Sequence, residues 1–219
     1  MGNDYRNTTY CSILQELNLK KKTLNDEICK NHTRLKIVYN KVKDTDNSYK
    51  GKFMAIYNYK CSYCGNSIDN LSSTLFEVDH YICESSFESN EKAGRMENLV
   101  LACYDCNRAK SSFLIKEEYN NLLNPDLEYI KNVLCRDDLY YIQISEDYKD
   151  DEFIKQFYDK MKLEYQSRRL DFLLMNINGL CKKNDGKPQV EKLNIVLRKL
   201  QHKRNLTSCK ELSKESVLA

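Results

Sequence analysis

A chain of 219 residues can bury one full core, or a small catalytic module with helical additions. With 41% hydrophobic and 31% charged residues and a mean hydropathy of -0.69, it has no apolar run near the roughly 18 residues that a membrane span needs. A net charge of +3 excludes a molecule held to polyanions by bulk charge alone, though the charge is unevenly spread. Residues 117–164 hold thirteen acids against six bases, and residues 181–210 hold nine bases against two acids. Either these stretches form separate acidic and basic surfaces, or they neutralise each other in the fold.

The first segment, residues 1–52, opens without a basic region followed by an apolar stretch, so no secretory signal is read and a cytoplasmic location is expected. From Thr8 to about Lys43 there is no Gly or Pro, and Leu14, Leu17, Leu24, Ile28, Leu35, Val38 and Val42 recur at helical steps. Lys21 and Asn31 interrupt the seam. The reading is therefore either a coiled coil or a helical hairpin broken near Lys20–Lys22, and either could mediate dimerisation.

In the second segment, residues 53–114, Tyr59–Gly65 reads as a strand entering a tight loop. Thr74–His80 reads as a short strand, Asn98–Cys103 as its partner, and Tyr104–Phe113 as a helix. The third segment, residues 115–219, is mainly helical. Ile154, Phe157, Tyr158 and Met161 share one face; Leu170, Leu173, Leu174 and Ile177 share another, with Gly179 as a stop. Leu139–Ile144 reads as a lone strand or hairpin arm. Pro188 suits the first turn of a last helix striped by Leu193, Val196, Leu197 and Leu200.

Ten cysteines in a reducing compartment argue against a disulfide framework. Four of them form Cys61-x-x-Cys64 and Cys103-x-x-Cys106, thirty-eight residues apart. One pair alone would leave redox chemistry or chance open; two pairs suit a tetrahedral, all-thiolate Zn²⁺. Such a site leaves no position for water, so the zinc is expected to be structural. The other six cysteines show no ligand spacing and read as small buried hydrophobes or inert surface thiols.

Between and after these pairs stand Asp79-His80, Asn98 and Asn107-Arg-x-Lys110. Cysteine pair, strand ending in Asp-His, Asn-Leu strand and Cys-x-x-Cys-Asn-x-x-Lys helix resemble, in that order, the HNH (ββα-metal, His-Me finger) endonucleases. The likeness covers about residues 53–114. It implies an α+β fold: a small ββα-metal HNH core with structural zinc, embedded in mainly helical N- and C-terminal segments. It also implies a metal-dependent endonuclease that hydrolyses phosphodiesters, with DNA ahead of RNA as substrate.

The chemistry asks for these residue types. An imidazole near its ordinary pKa of about 6.5 can deprotonate water, and His80 is the only histidine in this segment. Mg²⁺ or Mn²⁺ prefers oxygen ligands and keeps several waters, so the Asp79 carboxylate and the Asn107 amide are a sufficient protein share. The resemblance assigns Asn98 to bracing the loop between the strands. Arg108, Lys110 and Arg95 are candidate phosphate contacts, with solvated helix charge as the plain alternative for Arg108 and Lys110. His32 and His202 read as surface residues.

Two rival readings stay open. One is a non-catalytic zinc module that binds nucleic acid. The other is a subunit active only within a larger complex, since free-standing HNH proteins with helical flanks resemble effectors of bacterial anti-phage systems, some paired with an ATPase.

Overall fold

The computed structural model describes residues 4–45 and 48–218, with side chains to residue 211. The expectation about a leader rests partly on Met1–Asn3, which lie outside the described residues. The elements in order are α1 (Leu17–Asn31), α2 (Val38–Val42), α3 (Tyr49–Ile56), β1 (Phe76–His80), α4 (Asn90–Ala93), β2 (Leu99–Cys103), α5 (Tyr104–Lys110), α6 (Ile130–Val133), β3 (Leu134–Arg136), β4 (Ile142–Ile144), α7 (Glu152–Lys160), α8 (Gln166–Lys183) and α9 (Gln189–Leu218). The fold is α+β, and among the described residues no helix is long and apolar enough to cross a membrane.

Two antiparallel hairpins make up the sheet content. β1 pairs with β2, setting Phe76 opposite Cys103, Asp79 opposite Val100 and His80 opposite Leu99; β3 pairs with β4. All five residues of β2 are buried, as a continuous apolar run covered on both faces should be. α5 follows β2 without a connecting residue and packs back on the hairpin, which gives the ββα order read from the sequence.

One hydrophobic core joins the three segments. It takes Leu17, Leu24 and Ile28 from α1, Phe76, Leu99 and Leu101 from the hairpin, and Leu123, Ile130 and Phe157 from the chain beyond. The seam of α1 is thus used up inside its own chain, and the helix runs unbroken through Lys20–Lys22 before ending at Asn31. Lys21, the misfit of that seam, is 2% exposed. Its ammonium meets the Asp126 carboxylate at 2.6 Å, and Tyr57 donates to the same carboxylate at 2.9 Å. A buried lysine is tolerable here because its counter-charge is buried with it.

Other expectations change as well: Tyr59–Gly65 is no strand and makes only a single bridge from Lys60 to Ser67. Gly179 does not stop α8, which continues to Lys183; a Cβ at this position would lie 2.4 Å from the Tyr10 carbonyl oxygen. The glycine is there for close approach of the N-terminal segment, not for a turn. The stripe of α9 is only half covered: Leu193, Leu197 and Leu200 are partly buried, while Val196 is exposed. The basic stretch sends Lys182 to Asp69 and Arg204 to Asp171, so these pairs reach the middle segment and α8 rather than residues 117–164.

Candidate active site

The four cysteines of the two pairs converge. All are buried, and their sulfurs lie within 4.8 Å of one another. The first pair sits on a knuckle closed by the Gly65 N–H on the Cys61 carbonyl (2.9 Å) and held to β2 by the Ser62 N–H on the Leu101 carbonyl (2.7 Å). Gly65 has φ of 77°, and a Cβ there would lie 2.6 Å from the Arg6 carbonyl oxygen, so only glycine fits. The second pair comes from the β2–α5 junction: Cys103 ends the strand and caps the helix, and Cys106 is one turn on. Hydrogen bonds from Cys103, Cys106 and Cys61 pull the Cys64 thiol well below its ordinary pKa. A buried, sulfur-only set of this geometry fits a structural zinc.

The polar face of the hairpin lies next to this cluster. Strand alternation turns Glu77 and Asp79 to the same side, toward α5. Tyr63 donates to Asp79 Oδ2 at 2.9 Å, and the Lys110 ammonium lies 3.3 Å from Oδ1 and 3.2 Å from Oδ2. Lys110 also donates to the His80 carbonyl at 2.7 Å. Burial pushes the Asp79 carboxyl above its ordinary pKa, against the pull of Lys110 and Tyr63. Spacing makes Lys110 a candidate phosphate contact, with solvated helix charge as the alternative. Instead it is 1% exposed, because the last turn of α5 faces β1 and the buried Asp79 carboxylate takes the cation first.

His80 ends β1 half-buried, its ring 4.3 Å from that of Tyr39 on α2. Burial holds the imidazole below its ordinary pKa, so it is neutral near pH 7 and able to accept a proton. Asn98 closes the loop between the strands: its Oδ1 accepts from the Ile82 N–H at 2.8 Å, and its Nδ2 donates to the Ile82 and Ala93 carbonyls at 3.0 and 2.9 Å. Asn107, half-exposed on α5, donates through Nδ2 to Glu77. Arg108 is exposed, lies 3.5 Å from Glu77, and covers the Tyr104 ring at 5.1 Å. Arg95 is exposed on the loop before Asn98. His32 follows α1, edge-on to Tyr49, and His202 is exposed on α9.

Glu77 and Tyr39 are among the residues that sequence reasoning passes over. The period-2 pattern of β1 was a signal for Glu77, since it shares the face of Asp79. Nothing local marks Tyr39, which comes from another segment. Among the described residues no hydrogen bond joins Asp79, His80 and Asn107 directly; the strand end and the helix are linked through Glu77 and Lys110.

Hairpin, helix and four-thiol cluster together define a ββα metal finger. Residues 61–113, from the first cysteine of the cluster to just past α5, match the family model described as HNH endonuclease. No curated protein and no solved structure matches the chain.

Proposed function

We propose that the HNH domain hydrolyses nucleic-acid phosphodiesters, DNA in the first place, with one Mg²⁺ or Mn²⁺ held by oxygens of Asp79 and Asn107. The observation that carries this reading is the orientation of Asn107. A carboxylate only accepts, so Glu77 takes the amide NH₂, and Oδ1 is the Asn107 atom that would meet a hard cation. His80, half-buried and held neutral, accepts the proton of the attacking water. Asn98 fixes the loop that follows His80, and Tyr39 fixes its ring. A cation held there by Asp79 and Asn107 would stabilise charge on the phosphate and the leaving oxygen.

Arg108 and Arg95 are the phosphate contacts of this proposal. Arg108 also lines an open groove of about 390 Å³ with Tyr104, Tyr165 and Arg204, which none of Asp79, His80 and Asn107 lines. The helical flanks suit an effector within a larger anti-phage assembly, a role that rests on resemblance.

One observation favours a second reading, a zinc module that binds nucleic acid without cutting it. Asp79 is 9% exposed and already engaged by Lys110 and Tyr63, so a cation must take a remaining lone pair or displace the lysine. The deciding experiment incubates zinc-loaded protein with supercoiled plasmid and labelled RNA, with Mg²⁺, Mn²⁺ or neither, alongside His80→Ala. Metal-dependent cleavage of the plasmid by the wild type alone supports the nuclease. Binding without cleavage by both proteins supports the second reading.

A further inference from the structure

The zinc cluster has a cation beside it that comes from far along the chain. Arg168 lies in the first turn of α8, outside the HNH match, and is 5% exposed. Its Nη1 lies 3.7 Å from Cys64 Sγ and 4.0 Å from Cys103 Sγ, with the Asp105 carboxylate also at 4.0 Å. Burial and the positive end of the helix dipole both oppose a guanidinium at this place. A strong local negative charge offsets both costs: the buried sulfurs are the groups that Nη1 faces, Asp105 is exposed to water, and the buried Asp171 is already paired with Arg204. Four thiolates around Zn²⁺ carry a formal double negative charge, and a buried cation that donates to two of them offsets it.

We propose that Arg168 is the counter-charge of the zinc–thiolate cluster, which makes α8 part of the metal site. This rests on the four-cysteine zinc reading. The surroundings hold the helix in that place. Asp171, one turn on from Arg168 and 2% exposed, accepts from Asn66 of the knuckle loop at 2.9 Å and from Arg204 of α9 at 2.8 Å. Asn70 donates to the Asp171 carbonyl at 2.8 Å. The knuckle, α8 and α9 are therefore tied by the same buried polar network that presents the guanidinium to sulfur.

The test uses the full chain. Zinc content is measured first, then zinc release to a chromogenic chelator for wild type, Arg168→Met, Arg168→Gln, Arg168→Lys and Leu174→Ala, the last a packing change in α8. Cobalt-substituted samples report the sulfur-to-metal charge-transfer band. Arg168→Met should release zinc about ten- to a hundredfold faster, with Arg168→Lys between it and the wild type. Its band should move to lower energy, because a nearby cation lowers the sulfur lone pairs, while Leu174→Ala keeps the wild-type band. Wild-type release and an unmoved band in Arg168→Met overturn the proposal; if that variant does not fold, the same result in Arg168→Gln, which also lacks the charge, does so. A wild-type chain that carries no zinc fails the underlying metal reading instead.

Discussion

Cys106 and Asn107 are neighbours on α5, yet they face surroundings of opposite kind. Cys106 enters a buried cluster whose polar partners come from distant parts of the chain. Arg168 reaches the sulfurs from α8, Arg6 holds the Ser62 carbonyl at 2.6 Å, and Tyr5 donates to the Tyr63 carbonyl at 2.5 Å. Asn107 opens toward solvent, and its partner Glu77 sits on the adjacent strand. Long-range, buried pairing fixes the position of α5, while local, half-exposed groups are left accessible for chemistry. A displacement of about 1 Å can cost on the order of a hundredfold in rate, so the first arrangement serves the second.

Removing the zinc should have the largest effect. Chelation, or Cys106→Ser, is expected to remove on the order of 10 kcal/mol of folding free energy. Circular dichroism should then lose its cooperative thermal transition; an unchanged transition would break the comparison on its buried side. Asp171→Ala leaves Arg204 and Asn66 without their buried acceptor, and urea unfolding should show a loss of about 3–5 kcal/mol. If only a few tenths are lost, the network does not clamp the knuckle.

Effects on the open face should spare stability. His80→Ala loses its ring contact with Tyr39, about 1 kcal/mol, but cleavage in the plasmid assay should fall about 10²- to 10⁴-fold with zinc retained. Cleavage at the wild-type rate would remove His80 from the chemistry. The smallest effect is expected at Arg95, which is exposed. Arg95→Ala should shift stability by no more than about 0.5 kcal/mol, and reduce the salt slope of DNA binding by about one. An unchanged slope would assign Arg95 to solvent.

This division explains what could be read from the sequence. Cysteine spacing is a local pattern that suits a zinc site, Asp79-His80 and Asn107 are local patterns proposed for a second metal, and the ββα order follows from the periodicity of short strands and one helix. The clamp left no such trace. Arg168 looks like any helix charge until α8 is seen to pack on the knuckle, and Lys21 looks like a seam defect until Asp126 arrives from beyond the domain. Lys110 is similar: spacing puts it one turn after Asn107, but only the packing of α5 on β1 shows that it points inward. Gly179 was read as a helix stop, whereas its role depends on Tyr10 crossing the helix.

The central claim is that α5 carries an oxygen-ligand cation site immediately beside, and separate from, the thiolate site. Paramagnetic resonance of Mn²⁺ titrated into zinc-loaded wild type and Asn107→Ala addresses it directly. The account predicts about one bound Mn²⁺ per wild-type chain, and at least about tenfold weaker binding in the variant with zinc content unchanged. Equal Mn²⁺ binding by both proteins, or none by the wild type, would contradict it.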